Sequence, residues 1–205
     1  MTTNATQNSN AVSASREGLT FCKLWRLLSI PFSPRKLSPW FAVDSIAEID
    51  IQRLINDGIQ GVLLDADGVL ASHRSRVFPE PSLAFVREMM TMGLRVAIYT
   101  NADESRFQQF EGVPVVKNVP AKPDRKGFEI AAREYLNVQD FSRVCMVGDN
   151  FVTDGGAVEA GMRFVHVKPI AGCEKPIHRW TRRLAYECAR LYFPGKFRTR
   201  SGLSS

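Results

Sequence analysis

The chain has 205 residues, 44% of them hydrophobic and 23% charged, with four cysteines and a formal charge of +6 at pH 7. That balance describes one soluble globular domain with tails, and it excludes a largely disordered chain, a disulfide-stapled miniprotein and two independent cores. Residues 1–41 and 168–205 together hold 14 basic and 3 acidic side chains against 13 and 18 in residues 42–167, so an acidic body sits between basic ends, an arrangement that argues against nucleic acid gripped by the folded face.

In chain order, residues 1–20 are rich in Ser, Thr, Asn and Ala and read as a disordered tail. They lack the basic start and apolar stretch of a secretory signal, and Arg16 alone is too little arginine for a typical transit peptide, although import into an organelle stays open. Residues 21–41 form a basic amphipathic flank, with Phe21, Leu24, Trp25 and Leu28 at helical spacing, Lys23 and Arg26 on the other side, and Pro31 as the stop. The folded domain is expected over residues 42–193. Its first helix carries Ile46, Ile49, Leu54 and Ile55 and closes at Asp57 and Gly58.

Five apolar runs then read as strands: Gly61 to Leu64, Leu94 to Tyr99, Val113 to Val116, Arg143 to Val147 and Arg163 to Val167. Between them Ser82 to Met92, Glu104 to Phe110, Lys126 to Leu136 and Thr153 to Ala160 have the length of helices. Strands alternating with helices predict an α/β fold, a Rossmann-like, doubly wound parallel sheet of five core strands. A last helix over residues 175–192 carries Ile177, Trp180, Leu184, Cys188 and Leu191 as one stripe, flanked by Arg179, Arg182, Arg183 and Arg190. It is expected to pack its stripe on the sheet, whereas the N-terminal helix is expected to meet an anionic membrane or a partner. A basic tail, residues 194–205, ends the chain.

Cys22, Cys145, Cys173 and Cys188 form no CxxC pair and have no histidine at a zinc-ligand interval. A reducing, cytoplasmic setting is expected. No run approaches the about 18 apolar residues of a membrane span, so membrane contact would be peripheral. His166, within a strand, and Phe78, Phe85 and Met89 read as core, and His73, Arg74 and Arg76 as a solvated loop.

Parallel sheets bind ligands at the carboxyl ends of their strands, and here those ends are polar. Asp65, Asp67 and Gly68 follow the first strand, Thr100 and Asn101 the second, Lys122 and Pro123 come shortly after the third, and Asp149, Asn150 and Asp154 follow the fourth. Clustered carboxylates repel one another and call for a cation, and Mg²⁺ suits a site of few carboxylates that shares the ion with waters and phosphate oxygens. Lys122 supplies a point charge, Thr100 a hydroxyl, and the backbone near Asn101 an anion cradle. These parts suit phosphoryl transfer: Asp65 as nucleophile forming an aspartyl-phosphate, Asp67 as acid and then base, with the ion, Lys122 and Thr100 balancing the charge of the transferred group.

The segments LLDADGVL, VAIYTNA, KNVPAKP and VCMVGDNFVTD resemble, in order and spacing, the four motifs of the haloacid dehalogenase superfamily of phosphatases. From about Leu37 to about Phe193 the chain is similar to the capless YqeG-type branch, which includes relatives resembling phosphatidylglycerophosphate phosphatases of mitochondria and plastids. The resemblance implies Asp65 as nucleophile and metal ligand, Asp67 as acid/base with its backbone carbonyl on Mg²⁺, and Asp149 as a metal ligand. It makes Asp154 a supporting acid that orients Lys122 or a metal-bound water, and gives Thr100 and Lys122 the phosphate. Gly68 and Val69 stand where the branch usually shows Asn and Thr, a departure that bears on the substrate.

The short intervals from Asp67 to Thr100 and from Asn101 to Lys122 leave no room for a cap domain. An open site favours a bulky phosphate, and the expected reaction is phosphatidylglycerophosphate to phosphatidylglycerol at a membrane surface. Two alternatives stand beside it: a soluble phosphatase for a nucleotide or sugar phosphate whose basic ends serve oligomerisation, and a non-catalytic protein bound to RNA or the ribosome through its tails.

Overall fold

A computed structural model describes residues 34–102, 106–172, 174 and 176–197. The expected N-terminal amphipathic helix lies outside the described residues.

Five strands form one fully parallel sheet: β1 Phe41–Val43, β2 Gly61–Leu64, β3 Arg95–Ile98, β4 Val144–Gly148 and β5 Arg163–Val167, in the order β1-β5-β4-β2-β3. Each crossover holds a helix: α1 Ile51–Asn56, α2 Glu80–Thr91, α3 Arg125–Ile130 and α4 Gly156–Glu159. A long helix, α5 Pro176–Tyr192, follows β5. Local chemistry sets the helix starts. Asp50 accepts from the Arg53 amide at 3.0 Å and Asp124 from the Lys126 amide at 2.8 Å, each satisfying an amide that the first turn leaves unpaired. Gly58, at φ +83°, takes the left-handed conformation that ends α1.

The strand side chains alternate between two cores. Val62 and Leu64 of β2 and Cys145 and Val147 of β4 pack with α1 and α2 on one face, while Leu63, Val144 and Met146 pack with α3 and α5 on the other. Burial on both faces is why these strands read as unbroken apolar runs. The second core also takes in Leu37, ahead of β1.

Several expected elements differ. Val113 to Val116 is not a strand: it makes one bridge, Val115 to Ile98, with the Ile98 amide donating to Pro114 O and the Val116 amide to Ile98 O. Pro114 has no N–H to extend a ladder. The fifth strand is instead the three-residue β1 at the far edge, paired to β5. Of the helix expected over Glu104 to Phe110, residues 104 and 105 lie outside the described residues and residues 107–110 form a turn, where Gln109 accepts the Phe78 amide at 2.9 Å and Phe107 and Phe110 are buried. The stripe of α5 is also turned about. The helix buries Thr181, Ala185 and Ala189, the two alanines in the second core, while Ile177, Trp180, Leu184 and Leu191 are exposed. Cys188 alone of the stripe packs inward.

No domain is inserted between the described strands, so among the described residues no inserted cap covers their carboxyl ends. No described helix is long and apolar enough to cross a membrane.

Candidate active site

From β2 the chain steps to β3 on one side and returns to β4 on the other, and the ends of β2 and β4 border the crevice where such a sheet reverses direction. Asp65 leaves β2 there, its amide donating to Val147 O at 2.9 Å, and Asp149 leaves β4 beside it. Asp65, Asp67, Thr100, Asn101, Lys122 and Asp149 all line one cavity of about 100 Å³. Asp154 lies beneath it, fully buried.

Lys122 is the hub. Its side chain is 2% exposed, and Nζ lies 2.9 Å from Asp65 Oδ1 and 2.5 Å from Asp154 Oδ1. Burial alone would drive its proton off, but Asp154 and then Asp65 outweigh that and hold its pKa above the ordinary lysine value. Asn101 places this lysine: its side-chain oxygen accepts the Lys122 amide at 3.1 Å, and its side-chain nitrogen donates to Lys122 O at 3.3 Å. The helix expected to start beyond Asn101 does not form over residues 107–110. The Thr100 hydroxyl accepts the Ala102 amide at 3.2 Å.

Three buried acids, Asp65, Asp149 and Asp154, each bring an oxygen within 4.8 Å of the others. Burial raises Asp149 well above the carboxylate range despite Arg182, and raises Asp154 to about 6 despite Lys122. These buried carboxylate oxygens, close enough to repel one another, form a hard-oxygen donor set that fits Mg²⁺. Asp67 stands apart from the three. Its burial favours the neutral acid, but bonds from Arg106 and the Arg74 amide, with His73 at 3.7 Å, pull its pKa below the ordinary value.

Residues outside the strand-end motifs complete the site. Arg106 holds Asp67 with Nη2 to Oδ1 at 2.8 Å and Nη1 to Oδ2 at 3.2 Å. Arg182, from α5, meets Asp149 at 2.6 Å and Glu174 at 2.8 Å. His73, Arg74 and His178 also line the cavity, so the loop of His73 and Arg74 borders the site. Sequence spacing holds no signal for Arg106 or Arg182, because long side chains from remote elements reach the site only in the folded chain. His166 is structural as expected: stacked on Phe151 at 4.8 Å, it is held neutral by burial, with its pKa pushed down to about 4.

Gly68, in the first motif, has φ +87°, a conformation that glycine takes without strain, and a Cβ there would crowd the Asp149 carboxylate.

A model of haloacid dehalogenase-like hydrolases matches residues 36–161, more than half of the chain. The chain belongs to the haloacid dehalogenase-like hydrolase family. This hydrolase is 28% identical over 148 residues to "Probable phosphatase YqeG" of Bacillus subtilis (strain 168), an overlap of 69% of this chain and 83% of that one. Among solved structures it is similar to an uncharacterized protein from Listeria monocytogenes serotype 4b, with TM-score 0.44 and 16% identity over 58% of this chain and 85% of that one. It is also similar to CbbY from Rhodobacter sphaeroides in complex with phosphate, with TM-score 0.40 and 16% identity over 55% and 87%. Family and relative together make the chain an enzyme of the phosphoric monoester hydrolase class.

Proposed function

We propose that this hydrolase is a Mg²⁺-dependent phosphatase working through an aspartyl-phosphate on Asp65, with phosphatidylglycerophosphate at a membrane surface as its favoured substrate. The observation that carries the mechanism is the pairing of Asp65 with buried Lys122 at 2.9 Å beside Asp149 and Asp154, with Asp67 two residues further along.

An Asp65 oxygen attacks phosphorus as the bond from phosphorus to the ester oxygen breaks, and the leaving oxygen takes a proton from Asp67. Water then attacks the phosphorus, Asp67 takes its proton, and the Asp65 acyl-phosphate bond breaks to release phosphate. Lys122 and the Thr100 hydroxyl bind the phosphoryl oxygens, and Asn101 contributes by fixing the Lys122 backbone. Asp154 keeps Lys122 charged and aimed at the site. Bound at Asp65, Asp149 and the Asp67 backbone carbonyl, Mg²⁺ would offset charge on the transferring group. Arg106 favours ionised Asp67, which suits the base step, and the acid step requires Asp67 to take up a proton against that pairing.

Support for a membrane-borne substrate comes from the uncapped cavity and from α5, which carries an exposed apolar stripe with Arg179, Arg183 and Arg190 on the same helix. Tryptophan and aliphatic side chains with neighbouring arginines are what an interfacial helix presents to anionic headgroups.

The test is hydrolysis of p-nitrophenyl phosphate by the full chain. Activity is expected to vanish with EDTA, return with Mg²⁺, and fall at least about a thousandfold in Asp65→Asn. Unchanged turnover in that variant would sink the mechanism. A clear preference for sugar phosphates over phosphatidylglycerophosphate would replace the lipid by a soluble substrate.

A further inference from the structure

We propose that a cationic groove beside the catalytic cavity seats a second, non-scissile phosphate group of the substrate. The inference rests on the phosphatase reading and adds to it the class of substrate: a phosphomonoester that carries another phosphate, as a diester or a monoester, a short spacer away.

The groove has a volume of about 270 Å³, and its charged lining is Lys168, Arg179, Arg182 and Arg183 against Asp44 and Asp149. Of the two acids, Asp149 is already engaged by Arg182 at 2.6 Å. Asp44 meets Lys168 only at 3.8 Å, and with both side chains largely exposed such a pair is weak. Arg179 and Arg183, one turn apart on α5, form no ion pair with any described residue. Two unpaired guanidinium groups along one groove make an anion site, and their planar forks match phosphate oxygens two at a time.

Position ties this groove to the chemistry. Arg182 and Asp149 line both it and the catalytic cavity. A further cavity of about 350 Å³ shares His73, Glu174 and Arg182 with the catalytic cavity, and Arg179 and Arg182 with the groove, so the three adjoin at Arg182. Arg182 is a firm wall between them, because Asp149 and Glu174 hold its guanidinium from two sides. A substrate whose scissile phosphate meets Asp65 and Lys122 would therefore lay a second anionic group along Arg179 and Arg183.

The experiment compares the full chain with its Arg179→Ala/Arg183→Ala variant on three substrates: p-nitrophenyl phosphate, fructose 1,6-bisphosphate, and phosphatidylglycerophosphate in mixed micelles. The expected result is that kcat/KM for a two-phosphate substrate, relative to that for p-nitrophenyl phosphate, falls about tenfold or more in the variant, chiefly through KM. A fall with the sugar bisphosphate identifies a soluble second phosphate, and a fall with the lipid alone identifies a lipid phosphodiester when the variant still binds the micelles as the full chain does. A ratio unchanged for both substrates overturns the proposal. Calorimetric binding of the same two-phosphate compounds to Asp65→Asn chains, with and without the two arginines, reads the groove without turnover. Loss of affinity on removing the arginines supports the groove even if the phosphatase reading fails, and equal affinity overturns it even if that reading holds.

Discussion

On the proposed mechanism Asp67 loses and regains a proton while Arg106 grips both of its oxygens, at 2.8 and 3.2 Å. Burial on its own would raise the pKa of this carboxyl, so its depressed value depends first on the Arg106 hydrogen bond and then on the Arg74 amide. Removing the guanidinium leaves burial less opposed, and the pKa rises. In Arg106→Gln the acid limb of the kcat profile, where Asp67 must be ionised to take a proton from water, is therefore expected to move to higher pH. Arg106→Lys, which keeps the charge, is expected to bring it part of the way back. An acid limb that stays in place in both variants rules Asp67 out as the base. The groups that carry this chemistry were unequally visible in the sequence. Asp65, Thr100 and Asp149 were placed at the cavity because a strand end fixes where the next side chains emerge, whereas Lys122 comes after a run that forms no strand and is placed by its bonds to Asn101. Arg106, Arg182 and Glu174 could not be found, since they reach the site across the fold. The close approach at Gly68 was hidden for the same reason, because the group it meets is the Asp149 carboxylate 81 residues further along the chain.

Helix α5 turns on side-chain size. Its inward residues, Thr181, Ala185 and Ala189, are small and buried, which lets the helix lie close to the sheet and brings Arg182 within 2.6 Å of Asp149. A stripe of larger apolar residues was the natural reading of the inward face, because hydrophobic periodicity finds an apolar face without saying what covers it. The sheet showed a similar limit. Strands buried on both faces were legible as apolar runs, while β1, three half-buried residues at the edge, left no run to recognise, and Val113 to Val116 looked like a strand until Pro114 is asked for its amide. The two faces of α5 give opposite expectations for substitution. Ala185→Leu adds bulk to a filled contact and is expected to cost about 1–3 kcal/mol in urea unfolding. Leu184→Ala, on the exposed side, is expected to stay within about 0.5 kcal/mol. Comparable losses from the two would mean that the outward stripe is packed in solution and not open.

Across the whole molecule, the division into an acidic body and basic ends holds along the chain and dissolves in space. Four of the C-terminal basic residues, Lys168, Arg179, Arg182 and Arg183, border the cavities beside the buried acids. The net charge of +6 is therefore less informative than its placement. Positive charge is concentrated where an anionic substrate would enter, and α5 adds an apolar edge to it through Ile177, Trp180, Leu184 and Leu191. A bilayer rich in anionic lipid matches that combination, since headgroups would meet the arginines while the stripe enters the acyl boundary. The full chain is expected to sediment with phosphatidylglycerol vesicles and not with phosphatidylcholine vesicles. Because part of the attraction is electrostatic, raising the salt to about 1 M, where charges are screened within about 3 Å, should release much of it. Trp180→Ser/Leu184→Ser removes apolar area without touching an arginine, so it should weaken vesicle binding while leaving hydrolysis of p-nitrophenyl phosphate in detergent-free buffer as it was. Equal sedimentation with both vesicle types, or none with either, would end the membrane reading and leave the basic residues of α5 to the substrate alone.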